Sequence, residues 1–316
     1  MSLQLKALRM TMKALERTAP GLGAALAERL FFTPPRSTLA PAVRHLLETG
    51  DAFRVCVDGQ RIAAWAWGRG PAVILAHGWG GSGGRLAAAL ASPFVESGFS
   101  VITFDAPGHG LSDGRTSSMP QFARALHAVG DAAGSVFAVV AHSMGGSAST
   151  LAMVQGLKVQ RAAFIAPAAD PARFAADFAA TLGVGPAAMA GMRRRSEARL
   201  RFRWADLNVP RMAAALDVPL LIVHDRGDPT VPWEEGSAIA AAWPGAELVT
   251  TTGLGHREVV RDPSVVQRVV AFVRQGAEST ALEARPCAIG AEAAWVERDL
   301  YERDGRALRN TPMDIP

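Results

Sequence analysis

Short apolar runs alternate with amphipathic stretches from about residue 52 to residue 275, and this alternation limits the possible folds more than any other feature of the chain. The apolar runs, which we predict to be strands, lie at 53–57, 61–67, 72–76, 101–104, 136–141, 162–165, 220–223 and 247–251. Predicted helices lie near 85–97, 120–132, 145–157, 234–243 and 264–275. Because uninterrupted apolar strands are buried on both faces, the pattern predicts an α/β fold with a mostly parallel sheet of about eight strands, covered by helices on both sides.

The alternation is absent at both ends of the chain and once in the middle, which predicts how the chain is divided. Residues 1–50 are predicted to be an N-terminal helical extension, and residues 51–167 together with 217–277 the α/β core. Residues 168–216 have a helical composition and no clear strand, so we predict a short helical lid inserted after the sixth strand. Residues 278–316 form a tail of unknown role with one helical piece near 291–304.

Charge and hydropathy do not call for nucleic acid or a membrane as partner. The formal net charge is only +4 over 316 residues, which is too mild to require a polyanion. One side of an N-terminal amphipathic helix carries Leu3, Leu5, Leu8, Met12 and Leu15, which favours docking on the protein over anchoring at a membrane surface. The uncharged stretch 132–157 is long enough to cross a bilayer, but glycine and polar residues at its centre indicate a buried strand that turns into a buried helix.

The two cysteines, Cys56 and Cys287, are far apart and have neither CxxC nor zinc-ligand spacing. Free thiols are typical of a reducing compartment, so we predict a cytoplasmic protein. No metal-ligand spacing such as HExxH occurs, and we predict that the protein needs neither a metal nor a cofactor. The sequence leaves a homo-oligomer open.

A serine follows the predicted strand 136–141 at the point where the chain turns into a helix. The local sequence is Ala141-His142-Ser143-Met144-Gly145. Small residues on both sides of the serine allow the tight, strained turn that lifts a nucleophilic hydroxyl clear of a sheet. The usual form of this nucleophile elbow is Gly-x-Ser-x-Gly, and here an alanine takes the place of the first glycine. Ser143 is therefore the candidate nucleophile.

A serine nucleophile needs a base and an orienting acid, and both residue types follow later strands. Asp225 and Asp228 come after the strand at 220–223, and His256 lies in the loop after the last predicted strand. Because functional groups gather at the carboxyl ends of parallel strands, we expect these side chains to lie near Ser143. The order serine, acid, histidine is the one described for the α/β-hydrolase fold, and it leaves both aspartates open as the acid.

Over about residues 52–275 the sequence resembles the serine esterases and lipases of the α/β-hydrolase superfamily. Four segments carry the resemblance: His77-Gly78-Trp79-Gly80, Asp105-Ala106-Pro107-Gly108-His109-Gly110, the elbow at Ser143, and Asp228 with His256. The resemblance implies that Ser143 is the nucleophile and His256 the base. It also favours Asp228 over Asp225 as the acid, because in related enzymes two residues commonly lie between the acid and a Val-Pro pair.

The same resemblance implies an oxyanion hole made of the backbone N–H groups of Trp79 and Met144, the latter because it follows the nucleophile. It gives His77, His109 and His142 roles in shaping loops. Asp105 is expected to brace its own loop rather than to take part in chemistry.

We predict a serine hydrolase that cleaves small-molecule carboxylic esters through an acyl-enzyme intermediate. Thioesterases, C–C bond hydrolases, perhydrolases and acyltransferases of the same superfamily share these residues, so their activities stay open. A catalytically silent binding protein on the same scaffold is a further alternative. The segment 78–83 also fits GxGxxG, with Asp105 at the next strand end, which is the fingerprint of an NAD-dependent oxidoreductase.

The predicted lid contains a group of arginines: Arg193, Arg194, Arg195, Arg199, Arg201 and Arg203. A basic lid would attract acidic substrates or nucleic acid, whereas a solvated helix face would turn the neighbouring Phe202 and Trp204 inward. Because the whole chain is only mildly basic, we favour the solvated helix face.

Overall fold

The computed structural model describes residues 3–36 and 38–279. Cys287 and the predicted helical piece near 291–304 lie outside the described residues. Within the described ranges, no helix is both long and apolar enough to cross a bilayer.

An eight-stranded sheet forms the centre of the molecule. The strands are β1 (Asp51–Val57), β2 (Gln60–Trp67), β3 (Ala72–Ala76), β4 (Ser100–Phe104), β5 (Val136–His142), β6 (Arg161–Ile165), β7 (Leu220–Asp225) and β8 (Glu247–Thr251). They are arranged in the order β1-β2-β4-β3-β5-β6-β7-β8; β2 pairs antiparallel with both of its neighbours, and every other neighbouring pair is parallel. The predicted α/β class with a mostly parallel sheet of about eight strands is confirmed, and each predicted strand ends within two residues of the observed one.

Helices precede the sheet and connect its strands. They are α1 (Leu3–Thr18), α2 (Pro20–Phe31), α3 (Pro41–Glu48), α4 (Gly83–Glu96), α5 (Met119–Ala133), α6 (Met144–Val154), α7 (Pro171–Leu182), α8 (Pro186–Leu200), α9 (Val209–Ala213), α10 (Trp233–Ala242), α11 (Gly255–Glu258) and α12 (Pro263–Ser279), with a short 3-10 helix at Trp204–Leu207. Alternate residues of a strand point to opposite faces, so Ile74 of β3 packs with α5 and α6 while Val73 and Leu75 pack with α4 and α12. Burial on both faces explains why the parallel strands are uninterrupted apolar runs.

The N-terminal helices and the helices inserted between β6 and β7 share a hydrophobic cluster of their own. Met12 of α1 and Ala27 of α2 pack with Met192 of α8 and with Trp204. The apolar side of α1 therefore docks on the inserted helices, with Met12 fully buried. Leu3, at the start of the same predicted side, is instead 83% exposed.

Charged side chains reinforce the contact between the N-terminal helices and the insertion. Glu28 of α2 is buried and accepts hydrogen bonds from Arg195 Nε at 2.9 Å and from Arg199 Nε at 2.8 Å. Glu16 of α1 accepts two backbone N–H groups in the first turn of α8, where helix amides lack intrahelical partners. Trp204 is buried, as the solvated-face interpretation expects, whereas Arg195 and Arg199 pair with Glu28 instead of being held by solvent alone.

Candidate active site

Ser143 lies on strained backbone at the turn from β5 into α6. Its φ of 54° is a value that residues with a Cβ rarely adopt. The turn is tight because α6 begins against the end of β3, where a Cβ at Gly145 would collide with the carbonyl oxygen of Ala76. Ala141, which replaces the first glycine of the usual elbow, is fully buried in β5. The strand and the helix together therefore present Ser143 at a helix N-terminus.

The Asp228 carboxylate contacts His256 directly. Asp228 Oδ2 lies 2.7 Å from His256 Nδ1, so Nδ1 carries the proton and Nε2 is left to accept one. Asp228 Oδ1 accepts the N–H groups of Thr230 and Val231 at 2.8 and 2.9 Å, which fixes the carboxylate plane. Burial raises the pKa of Asp228, but hydrogen bonds from His224, His256 and the backbone outweigh it and hold the pKa well below its usual range. The carboxylate is therefore ionised at neutral pH.

Asp225 has a different set of partners. Its Oδ2 accepts the Thr251 hydroxyl at 2.9 Å and the Leu254 N–H at 3.0 Å, and its Oδ1 accepts the Gly227 N–H. These bonds tie the loop after β7 to the loop after β8. Of the two aspartates that the sequence order leaves open, Asp228 is the one that the structure brings to His256.

Two further histidines surround the Asp228–His256 pair. His142 Nε2 donates to the His256 carbonyl oxygen at 2.9 Å, and the two rings are 4.7 Å apart. Burial, together with the nearby His256, lowers the pKa of His142 to about 3, so its ring stays neutral. His224 Nε2 donates to the Val231 carbonyl oxygen at 2.9 Å and lies 3.5 Å from Asp228 Oδ2.

The sequence analysis did not predict either of these contacts. His142 was expected to shape a loop, and His224 was given no role. The available signal was their position at the carboxyl ends of β5 and β7, where functional groups gather. That signal does not tell which backbone carbonyl a buried imidazole will reach.

The loop 77–83, which follows β3, is held by polar groups of the loop 105–116, which follows β4. His77 Nε2 accepts the Ala106 N–H at 3.0 Å, and His109 Nε2 accepts the Gly80 N–H at 3.1 Å. Each ring also donates from Nδ1 to a backbone carbonyl, which fixes the neutral tautomer. Burial lowers the pKa of His77 to about 4 and that of His109 to about 3. Both Nε2 atoms therefore remain acceptors at neutral pH.

The loop 77–83 passes directly beside Ser143. Gly78 leaves no room for a side chain, since a Cβ there would lie 2.9 Å from the Ser143 Cβ. The Met144 N–H follows Ser143 at the start of α6, and the Trp79 N–H follows Gly78 in the loop. Among the hydrogen bonds of residues 3–36 and 38–279, neither of these amides donates to a protein acceptor. The Trp79 side chain is 37% exposed.

Asp105 is not available to a dinucleotide. Its carboxylate is buried, with Oδ1 accepting the Gly83 N–H at 2.7 Å and Oδ2 accepting the Leu111 N–H at 2.8 Å. An acid that binds a ribose hydroxyl has to face the ligand. The GxGxxG segment at 78–83 therefore binds Asp105 through its own backbone. Asp105 is the residue that the NAD interpretation needs to bind the ribose.

Two family models match the sequence one after the other. The model described as serine aminopeptidase, S33, matches residues 70–206, and the model described as TAP-like protein matches residues 204–283. The first match contains the elbow at Ser143, and the second contains Asp228 and His256. A comparison with curated proteins gives no match.

Solved structures that superpose on the chain share little sequence with it. An esterase from Exiguobacterium antarcticum has 16% identity and a TM-score of 0.55, over 70% of this chain and 98% of its own. A bromoperoxidase from Bacillus anthracis has 17% identity and a TM-score of 0.53, over 72% of this chain and 100% of its own. A hydrolase from Pseudomonas aeruginosa has 20% identity and a TM-score of 0.56, over 71% of this chain and 99% of its own. At these identities the likeness is one of fold.

Proposed function

Because this chain is a protein of the α/β-hydrolase fold, we propose that it is a serine hydrolase that cleaves carboxylic esters. The observation that carries the proposal is the 2.7 Å contact between Asp228 and His256, in loops next to a serine on strained backbone. A buried, ionised carboxylate on Nδ1 leaves the other imidazole nitrogen as a base, and the neighbouring residue that a base can activate is Ser143.

In the proposed reaction, Ser143 Oγ attacks the acyl carbon of the ester while His256 Nε2 takes the hydroxyl proton. Asp228 keeps the other proton on Nδ1 and stabilises the imidazolium. The tetrahedral intermediate then breaks its C–O bond, and His256 gives the proton to the leaving alkoxide. Water, activated by His256, hydrolyses the acyl-enzyme by the same two steps and regenerates Ser143.

Two backbone N–H groups are proposed to stabilise the oxyanion that forms in each step. Met144 is the first residue of α6, so its N–H belongs to the unpaired amides at the positive end of a helix. Trp79 lies in the loop that packs against Ser143 through Gly78. In known enzymes, removing one such donor raises the barrier by about 3–4 kcal/mol.

We further propose that segment 168–216 acts as a lid, and that α1 and α2 belong to the same cover. The segment leaves the sheet beside the nucleophile, where the Ser147 hydroxyl donates to the Ala168 carbonyl oxygen at 2.6 Å. Glu235, in the helix after the acid loop, accepts the Ala169 N–H at 2.6 Å and pairs with Arg173 at 2.7 Å. These anchors hold the base of the segment next to the reacting groups, where a cover would exclude water and contact the substrate.

One second candidate activity has its own support. The family model over residues 70–206 is described as a serine aminopeptidase, and peptide cleavage would use the same nucleophile, base and oxyanion donors. The same residues also fit thioester hydrolysis, C–C bond hydrolysis, perhydrolysis and acyl transfer. A binding protein without catalytic activity is a further alternative. Ser143, Asp228 and His256 would play the same roles in each of these reactions, so only a panel of substrates can separate the activities.

The protein is proposed to work in a reducing compartment such as the cytoplasm. Cys56 lies exposed on β1 and has no disulfide partner within residues 3–36 and 38–279; a reducing compartment would maintain such a thiol.

The test is hydrolysis of p-nitrophenyl esters from acetate to decanoate, and of aminoacyl p-nitroanilides, by the wild-type protein and by Ser143→Ala. We expect ester turnover that disappears in Ser143→Ala, with a chain-length optimum set by the covered site. Turnover of the anilides in preference to the esters would favour the aminopeptidase. Ester turnover that survives in Ser143→Ala would refute the proposed nucleophile.

A further inference from the structure

Residues 32–36, which we call the strap, connect the N-terminal helices to the rest of the molecule and run across the side of the active-site loops. The Ser117 N–H donates to the Phe32 carbonyl oxygen at 2.8 Å, which fixes the strap where it leaves α2. Pro34 is buried. Neither the strap nor its partners belong to the catalytic groups proposed above.

The Arg36 side chain donates hydrogen bonds to three carbonyl oxygens of the loop 105–116. Its Nε donates to Gly108 O at 2.9 Å, and its Nη2 donates to Ser112 O at 3.0 Å and to Gly114 O at 2.7 Å. Gly108 and Gly114 both have positive φ, so this loop does not follow an ordinary extended or helical path. A planar guanidinium with several fixed donors can close such a loop, whereas an ammonium group is a single point of attachment.

The loop that Arg36 closes is the one that supports the loop 77–83. His109 accepts the Gly80 N–H, and Asp105 accepts the Gly83 N–H, so one acceptor holds each side of the turn after Trp79. Burial raises the pKa of Asp105, and its backbone hydrogen bonds and the positive charge of Arg36 oppose that rise. Burial outweighs these contributions, so the pKa of Asp105 stays above its usual value.

The strap also contacts the loop 77–83 directly. Gly80 has a φ of +67°, and a Cβ there would lie 2.9 Å from Pro35 Cγ. The proline ring therefore covers the residue directly after Trp79. Two routes, one through Pro35 and one through Arg36, connect the strap to the backbone that carries the proposed oxyanion donor.

We propose that Arg36 is a positioning residue for the oxyanion hole: it closes the loop 105–116, which in turn aims the Trp79 N–H at the reacting carbonyl. The inference rests on the proposed function. It gives the N-terminal segment a part in transition-state stabilisation, beyond its part in the cover. Loss of Arg36 should therefore lower kcat rather than weaken ground-state binding, because an oxyanion forms only after attack.

The experiment compares Arg36→Ala and Arg36→Lys with the matched control Arg85→Ala. Arg85 also donates to a backbone carbonyl near the strap, that of Thr38 at 3.3 Å, but among the described residues its side chain has no hydrogen bond to the loop 105–116. With the best p-nitrophenyl ester, we expect Arg36→Ala to lower kcat roughly 10- to 100-fold while KM changes by less than about 3-fold. Arg36→Lys should recover little of the loss, and Arg85→Ala should match the wild-type protein.

Two readouts separate positioning from general damage to the fold. Added guanidinium ion should restore part of the kcat of Arg36→Ala and leave the Arg85→Ala and wild-type rates unchanged. Hydrogen exchange, which needs no substrate, should show faster exchange of the Gly80 and Gly83 amides in Arg36→Ala. An unchanged kcat, a loss that appears only in KM, or unchanged exchange at both amides would each overturn the proposal.

A failure of the role proposed for Arg36 can be distinguished from a failure of the proposed function. Ester turnover that is lost in Ser143→Ala but normal in Arg36→Ala would contradict the role of Arg36 alone. A wild-type protein without hydrolase activity would contradict the proposed function. In that case the hydrogen-exchange comparison still decides whether Arg36 holds the loop 77–83.

Discussion

Asp225 and Asp228 follow the same strand, and each holds a different part of the site. Asp225 links the loops after β7 and β8 through backbone N–H groups and the Thr251 hydroxyl. Asp228 holds the His256 ring. Both carboxylates accept backbone N–H groups, but of the two only Asp228 also binds the His256 imidazole.

We expect Asp228→Asn to lower kcat about 10³- to 10⁴-fold, because an amide cannot hold the productive imidazole tautomer. Asp225→Asn should instead lower the free energy of unfolding by about 1–3 kcal/mol, since the amide NH₂ would face donors, with a smaller effect on kcat. Steady-state kinetics and urea unfolding of both variants measure the two effects. The assignment fails if Asp225→Asn abolishes turnover in a stable protein while Asp228→Asn turns over normally.

At the same scale, chain order predicts which side chains come close together, but it does not predict contacts with distant backbone. Ser143, Asp228 and His256 each follow a different strand, and parallel strands bring such positions together. The contact of His142 with the His256 carbonyl joins residues 114 positions apart. No local pattern encodes that contact, because any buried imidazole needs some acceptor.

The N-terminal helices and the helices inserted between β6 and β7 form the next scale, and one buried carboxylate connects them. Glu28 is 8% exposed and pairs with Arg195 and Arg199 of α8. Sequence patterns predicted the N-terminal helices and the inserted helices separately. Their pairing could not be predicted, because neither the apolar side of α1 nor the arginines of α8 specify a partner so distant in the chain.

We expect Glu28→Gln to lower the free energy of unfolding by about 1–3 kcal/mol, because two arginines lose their charged acceptor. The matched control is Arg203→Ala, which removes an arginine whose pair with Asp206 is on the surface, with a side chain 77% exposed. That control should have no measurable effect. Equal unfolding curves for Glu28→Gln and the wild-type protein would mean that this ion-pair group does not hold the N-terminal helices to the insertion.

At the scale of the whole molecule, three buried neutral histidines couple stability to pH. Burial lowers the pKa values of His77, His109 and His142 to about 4, 3 and 3, from an ordinary value of 6.5. Between pH 6.5 and about 4 the unfolded chain therefore binds protons that the native protein does not bind. Their contribution is complete above pH 6.5 and is lost as the pH falls toward the native pKa values.

We expect the free energy of unfolding to fall steeply from pH 6.5 to pH 4.5, by up to about 1.4 kcal/mol per pH unit for each histidine. Urea unfolding across this range measures the slope. His77→Gln should reduce the slope, whereas His45→Gln, at a side chain 82% exposed, should leave it unchanged. A flat profile in the wild-type protein would show that these rings are not buried in the neutral form.

The order of the strands is a whole-molecule property that the sequence did not specify. Apolar runs located the central strands, such as β3 and β5, because burial on both faces excludes charge from them. The placement of β4 between β2 and β3 follows from how the connecting helices pack, which no run of residues records. The carboxyl ends of β5, β7 and β8 nevertheless meet at one edge, and that is enough to assemble the candidate site.

The central claim, that Ser143 is a nucleophile activated by His256, is tested most directly by covalent labelling. The protein is treated with a fluorophosphonate, and the modified residue is located by peptide mass spectrometry. We predict one phosphonyl adduct, on Ser143, that is absent in Ser143→Ala and forms at least about 100-fold more slowly in His256→Ala. An adduct on another residue, or labelling of Ser143 at the same rate in His256→Ala, would contradict the claim.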